Sequence, residues 1–383
     1  MSALPTRAGV ALQYIGVVAL LIAGLQPVIL GGLAGEGRLT VPQIGVAATA
    51  ELLALGVACG LAAAILKPTA MRAKLAAACL GHALCNLGSL WVSGGELIAL
   101  RSLTGVFAGV MLWSTISMIA RSTHPERQAG IFVTLQTLAQ LLLAAILPAT
   151  VMVKGGVNAA LACLAAISLT AAVATLWAPS SLKPLPKGDT AGPGALTPLA
   201  WAGLCAVFLY MAFIVAIWVY LEPLALRVGL TPAEAQRAVA AALAMQVLGG
   251  AAATLLGARL SPPVVLIGAG LVNLGLLAGL AASPSGPAFM SLVAAFGFLW
   301  LFVLPFHTAL LIRIDPTRHA AMQLGAAQLL GSSAGPLAAS LLVGDSDVAG
   351  AMRLAGACLV LSLGLIVVVT ARLRRIGPAL PAA

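Results

Sequence analysis

Charge is what this chain has least of. Of its 383 residues only 8% are Asp, Glu, Lys or Arg, where soluble domains carry about 25%. So few charges cannot cover the surface of a soluble protein. Acids are scarcer still, ten against twenty Lys and Arg. Cysteine pairs are absent: Cys59, Cys79, Cys85, Cys163, Cys205 and Cys358 all fall in apolar runs without a CxxC spacing. They read as small apolar residues, neither disulfides nor metal ligands. A GxxxxGK[ST] phosphate loop is missing, which argues against ATP as the driving force. HExxH and paired Cys/His spacings are missing too, so no metal is expected. Ser332-Ser333 lies in an apolar run with no His–acid pair to activate it. An enzyme and a cofactor are therefore not expected. Alternation at a period of two over about ten residues, the mark of membrane barrel strands, is also lacking.

What the chain does have is long apolar runs, with 61% hydrophobic residues overall. The runs last about 18 to 27 residues, the length of a helix crossing a hydrocarbon core of about 30 Å. Lipid leaves the backbone only helices and closed barrels, so the fold class is an all-α membrane protein. Turn and charge breaks give twelve spans, roughly 8–34, 42–66, 75–93, 96–120, 129–153, 157–179, 199–226, 235–257, 263–282, 288–314, 320–343 and 350–373. The first run, preceded only by Arg7, is too long for a signal-peptide core and reads as a retained helix.

The basic residues are unevenly placed. Fourteen of the twenty fall on the side of the N-terminus, and five (Arg38, Lys154, Arg227, Arg237, Arg353) fall on the other. The remaining one, Arg101, lies inside a span. The excess puts both termini in the cytoplasm of a multi-pass inner-membrane protein. Because these charges sit in short loops, the net charge of +10 needs no nucleic acid to explain it.

The one long polar connection, rich in Pro, Gly, Ser and Lys, runs from Pro179 to Pro198 and reads as a flexible linker. It divides the chain into six spans at 1–179, a linker at 180–198 and six spans at 199–383. The halves repeat. Gly60–Leu66 reads GLAAAIL and Gly250–Leu256 reads GAAATLL; Ala139-Gln140-Leu141-Leu142 with Pro148 matches Ala327-Gln328-Leu329-Leu330 with Pro336; Pro125-Glu126-Arg127 matches Pro316-Thr317-Arg318. The three offsets agree to within a few residues. Two repeated six-helix halves predict a body that rocks about a solute site at mid-membrane.

Two ionisable residues stand out. Arg101 lies within LIALRSLTGVFAG, where a charge near a helix centre costs about 2.5–3.5 kcal/mol. Gly105 and Gly109 follow it at spacings of four, on one helical face that lets a second backbone approach. Glu51 is the one acid read as deep in an apolar span. From the non-cytoplasmic side it lies about nine residues in and Arg101 about five, a depth difference of roughly 6 Å. Burial pushes a carboxylate toward its neutral form and a nearby Arg pushes it back. One reading makes Glu51 the carrier of a coupling proton, with Arg101 tuning it or holding an anionic solute group. The other makes the two a permanent ion pair that fixes packing. Both residues are expected in a wet seam between the halves.

The chain resembles the major facilitator superfamily over nearly its whole length. Arg101, Gly105 and Gly109 after Leu97 look like that superfamily's helix-4 motif, which is linked to proton transfer. The turns Pro125–Gly130 (with Arg127) and Asp315–Arg318 look like its loops after helices 4 and 10. Gly331, Gly335 and Pro336 look like its helix 11, and Arg259 takes the place of its basic turn after helix 8. Two features depart from the pattern. The turn Ala64–Arg72 has bases but no aspartate, so the gating salt bridge usually drawn from that acid has no counterpart. Helix 5 has Pro148 without the glycines of proton-antiporting drug exporters. The resemblance implies two pseudo-symmetric six-helix bundles with a cavity lined by helices 1, 4, 7 and 10. Candidate solute contacts are Gln26, Arg101, Gln136, Gln140, Tyr210, Trp300, His307 and Gln328. Asn273, Gln246 and Gln323 are further polar candidates; most such residues simply bond between helices. His307 is read as the one histidine well inside a span, and Trp218 and Tyr220 as interface anchors.

Together these readings imply a monomeric secondary transporter working by alternating access. It would move a small organic solute, an organic anion or an aromatic or amphiphilic compound, in symport with protons. A proton-driven exporter of hydrophobic compounds is the alternative. From another class, a membrane receptor or lipid-modifying enzyme stays open, since fold does not fix function.

Overall fold

The computed structural model of the protein describes residues 6–122, 125–182, 196–316, 319–344 and 347–376. Its helices are α1 (Thr6–Gly35), α2 (Val41–Ile65), α3 (Met71–Gly88), α4 (Gly94–Ala120), α5 (Pro125–Ala149), α6 (Val151–Ala174), α7 (Pro198–Val219), α8 (Leu221–Arg227), α9 (Pro232–Leu256), α10 (Pro262–Ala281), α11 (Gly286–Ile314), α12 (His319–Met322), α13 (Leu324–Ser340) and α14 (Ala349–Ile376). Ten helices among the described residues are long and apolar enough to cross a membrane. The other two expected spans are α3, of 18 residues and studded with polar groups, and the interrupted pair α12–α13.

Local chemistry explains where helices start and break. Thr40 and Thr231 each accept from the backbone three residues on, while Gln43 and Glu234 reach back, closing two capping boxes. Prolines stand in the first turn of α2, α7, α9, α10 and α11, where their missing N–H has no partner to lose. Pro223 does the opposite. Its ring clashes with the carbonyl four residues earlier, so the span read as 199–226 breaks at Tyr220 and α8 follows as a separate helix. Gly156, at φ 58° and ψ −155°, interrupts α6. Glu36 Oε1 accepts the Val157 N–H at 2.8 Å just beyond that break, capping the part of α6 that enters the membrane.

The helices pack in two sets with the same internal pattern. In the first half α2 lies on α4, α1 on α5 and α6, and α3 on α4 and α6. In the second, α9 lies on α11, α7 on α13 and α14, and α10 on α11 and α14. Advancing each membrane span by six turns one list into the other, including the contacts between halves, where α2 meets α13 and α5 meets α9. The tightest crossings use glycine. Gly105 and Gly109 of α4 lie against the Glu51 and Leu55 carbonyls of α2, and Gly331 and Gly335 of α13 against the Phe208 and Ala212 carbonyls of α7.

The face bearing the termini and most basic loops is called the basic face here, and the other the far face. On the far face Arg38 donates to Asn158 Oδ1 at 2.7 Å, to the Val92 carbonyl at 2.6 Å and to the Ser89 carbonyl, tying the α1–α2 and α3–α4 connections to α6. On the basic face the start of the linker is not free. Met71 N–H donates to the Ser180 carbonyl at 3.0 Å, Leu182 N–H to the Pro68 carbonyl at 2.9 Å, and Arg72 Nε to the Ala178 carbonyl at 2.7 Å. The linker expected at 180–198 is thus fastened to the α2–α3 turn through 182, because that turn offers unpaired backbone groups. Residues 183–195 lie outside the described residues.

The α2–α4 crossing gives a direct test. Leucine at Gly105 must displace the Glu51 carbonyl, and overpacking of this kind costs about 1–3 kcal/mol. Gly60, with nothing within 4 Å of an added Cβ, tolerates alanine and gains helix propensity, up to about 1 kcal/mol. Thermal melts in detergent are expected to fall for Gly105→Leu and to hold or rise for Gly60→Ala.

Candidate functional site

Arg101 and Glu51 are sealed from solvent, 0% and 1% exposed, with Arg101 Nη1 3.5 Å from Glu51 Oε1. Arg101 Nη2 donates to Asn86 Oδ1 and to Thr104 Oγ1, each at 2.9 Å. Asn86 Nδ2 donates back to the His82 carbonyl at 3.0 Å and lies 3.3 Å from His82 Nδ1. His82 Nδ1 is 2.7 Å from Ser168 Oγ, which donates to the Leu164 carbonyl at 2.7 Å. A polar chain therefore runs from α2 through α4 and α3 to α6. The cavity beside it is lined by Val18, Leu21 and Ile22 of α1 with these polar groups, and the space open to a water centre is ≈ 10 Å³. That is about the room one water needs. Both Glu51 oxygens and Arg101 Nε and Nη1 lack a hydrogen-bond partner, so a water there has donors and acceptors waiting for it.

This placement corrects one expectation. Glu51 and Arg101 meet inside the first half, and among the described residues none of the second half lines their cavity; they do not sit in the seam. The reason is Gly105, which draws α4 onto the very turn of α2 that carries Glu51. His82 also corrects the reading of His307 as the one histidine inside a span, since His82 is fully buried in α3.

The seam itself is held by backbone carbonyls. Trp218 Nε1 of α7 donates to the Ala23 carbonyl of α1 at 2.9 Å. Ala23 stands four residues before Pro27, and proline has no N–H to give the carbonyl of residue i−4. Pro27 thereby frees the acceptor that Trp218 uses. Thr49 of α2 donates to the Ser333 carbonyl of α13 at 2.7 Å, three residues before Pro336. The Pro336 carbonyl and the Tyr220 hydroxyl lie against Gly45. Trp218 and Tyr220 are buried and are not interface anchors. All these contacts lie toward the far ends of their helices, where they join the two halves.

The remaining candidates divide. Gln26, 0% exposed, has no partner for either polar side-chain atom, and Gln246 Nε2 has none. Gln26 is three residues from Ala23, on the same side of α1. Trp300 is half-buried and packs edge-on against Trp218, ring centroids 5.4 Å apart. From there the rings continue through Phe296 and Phe213 to Tyr210, which lies 4.9 Å from His307. Tyr210 accepts from Asn273 at 3.3 Å, while both His307 nitrogens are unpartnered. Gln140 is engaged, donating to the Leu20 carbonyl at 2.7 Å. Gln136 and Gln328 are half-buried and Gln323 exposed, and Arg259 is exposed on the basic face. Arg318 and the side chain of Arg127 lie outside the described residues.

The sequence reading missed Asn86, Ser168 and Glu222. Asn86 had a signal, since its spacing of four from His82 puts both on one face of α3. Glu222 was hidden because the chain breaks beside it at Pro223. Among the described residues no three of His, Cys, Asp and Glu converge as a metal site, and all six cysteines are free.

No family model matches the chain, and no curated protein matches it. Solved structures do. A variant of the nucleoside transporter NupG overlays with a TM-score of 0.70 at 11% identity, covering 97% of this chain and 100% of that one. A bacterial homologue of the human lysosomal transporter Spinster, inward-facing and occupied, overlays at 0.66 with 13% identity and 98% of each chain. The major facilitator superfamily transporter FucP, in the outward conformation, overlays at 0.58 with 14% identity, covering 94% and 98%. The fold is the major facilitator fold.

Removing Arg101 strips Glu51 and Asn86 of their shared cation. Breaking a buried pair from one side costs about 3–5 kcal/mol, so Arg101→Gln is expected to lose most of the folded protein. Glu51→Gln leaves Arg101 its bonds to Asn86 and Thr104 and is expected to lose much less. Size-exclusion profiles and melts of the two variants check the order.

Proposed function

We propose that this chain is a secondary transporter that carries a small organic solute across the cytoplasmic membrane by alternating access, in symport with protons. The basic face is the cytoplasmic one, by the excess of Lys and Arg in its short loops. The observation that carries the reading is the seam. Trp218 to Ala23 and Thr49 to Ser333 join the halves through single hydrogen bonds to backbone carbonyls, with one close approach at Gly45, while each half is locked by several glycine crossings and the first also by a buried ion pair. Such a body parts along its seam before it deforms within a half. In this reading these contacts hold the far face closed.

Helix α2 supports a link between proton and solute. Thr49 holds α13 and Glu51 faces Arg101, two residues apart and so on nearly opposite sides of one helix. A proton on Glu51 cancels its attraction to Arg101, and the α4 contact at Gly105 passes the resulting shift to α2. The Thr49 bond to α13 lies on that same turn. The solute side of the seam is aromatic and uncharged: Trp218 and Trp300 beside Gln26 suit a flat ring with hydrogen-bonding edges. The NupG overlay directs the first trials to nucleosides, with aromatic acids and sugars as further classes.

The test uses proteoliposomes, labelled compounds of these classes and a pH gradient acidic on the far side. The wild-type protein is expected to concentrate one of them above equilibrium. Glu51→Gln is expected to equilibrate it without accumulation. Unchanged accumulation in Glu51→Gln removes proton coupling through this residue.

A further inference from the structure

Glu222 is buried at 3% exposure in α8, just beyond the membrane-crossing helix α7, which ends at Val219. It reaches across to the other half. A Cβ built on Gly31 of α1 would stand 2.6 Å from Glu222 Oε2 and 2.8 Å from its Cδ, so the carboxyl rests directly on the glycine backbone. Oε2 is sealed and has no hydrogen-bond partner. Among the described residues no cation forms an ion pair with it.

Among the described residues, none of the charged or titratable groups on the elements packed around α8 pairs with Glu222. On α1, Glu36 accepts from Val157 N–H, and Arg38 beyond it is spent on Asn158, Ser89 and Val92. At the end of α7 the Tyr220 hydroxyl lies against Gly45. On α9, Glu234 closes its capping box with Thr231 and lies 3.9 Å from Arg237. Arg227 of α8 itself is exposed. A bare carboxylate placed here loses most of its water and gains no counter-charge, so the neutral acid is the form that fits. Burial alone pushes this carboxyl up, to about 8.

We infer that Glu222 is a second proton-binding site of the transport cycle, filled from the far side when α8 seats on Gly31 and emptied when the far gate parts. The inference rests on the alternating-access reading and adds a proton site distinct from Glu51. Its balance is simple. Closing takes one proton from the far-side solution onto the Glu222 carboxylate, and opening returns that proton to water as the carboxyl is rehydrated. The sign follows. Acid favours the closed far gate. As pH rises from the ordinary Glu range near about 4.3 toward about 8, the open-to-closed ratio grows by about tenfold per pH unit. Above that window it levels off.

The test places spin labels at Gly35→Cys, at the end of α1, and Arg227→Cys, at the end of α8, in the otherwise cysteine-free full-length chain in lipid nanodiscs. Both positions are exposed. With Glu222 present, pulsed electron resonance is expected to give one short distance at acid pH and a growing longer one as pH rises. Glu222→Gln, placed in a Glu51→Gln background so that the first proton site cannot respond, is expected to hold the short distance at every pH, which also reports that the variant is folded. Glu51→Gln is expected to keep the pH response. A pH response that survives in the double variant overturns the inference, and so does one lost in Glu51→Gln alone. A distance that never varies with pH in the parent overturns it as well, while solute exchange by the same protein still decides the carrier reading separately.

Discussion

Lipid offers a polar group nothing to bond to, and most of what is distinctive in this protein follows from meeting that one condition. Arg101 carries a charge into the membrane and is surrounded by Glu51, Asn86 and Thr104. Pro27 leaves the Ala23 carbonyl without its helical partner, and the Trp218 indole of the opposite half supplies one. In both places a local defect in an apolar helix is repaired by a neighbour. The repairs also decide which helices are tied together: α2, α3, α4 and α6 through Arg101, and the two halves through Trp218 and Thr49.

Helix α2 stands where these ties meet. Its Glu51 turn is clasped by α4 at Gly105, and its Thr49 turn is bonded to α13. The grip within the half combines two close backbone approaches, at Gly105 and Gly109, with a buried ion pair; across the seam α2 has the Thr49 bond and one close approach, Gly45 against the Pro336 carbonyl. Net, a typical intramolecular hydrogen bond is worth only about 0.5–1.5 kcal/mol. A seam held by such contacts can exchange them for others at little cost, while each half keeps its shape. This difference in strength is what a rocking carrier requires.

Much of the architecture was legible in the amino-acid order because its causes are local. Apolar runs set the helices, glycine spacings of four set the α2–α4 and α7–α13 crossings, and the repeats around Gln140 and Gln328 announced two halves. The contact between Arg101 and Glu51 could be anticipated from depth alone. Their location could not, because which neighbour a helix face meets depends on packing by residues far away in the chain. The same holds for Trp218. An aromatic near a span end reads as an interface anchor until α1 is laid beside it and the carbonyl freed by Pro27 comes into reach. Glu222 was hidden by a turn, since Pro223 ends α7 about two turns earlier than hydropathy suggests and folds the acid back against Gly31.

The central claim is that the halves move as units about a seam and so carry solute in discrete cycles. Counterflow tests it most directly: vesicles loaded with an unlabelled solute of the responsive class, and the same solute, labelled, added outside. The account predicts saturable uptake that overshoots equilibrium and is stimulated by the internal solute. Uptake that rises in proportion to concentration, with no effect of internal solute, would contradict it.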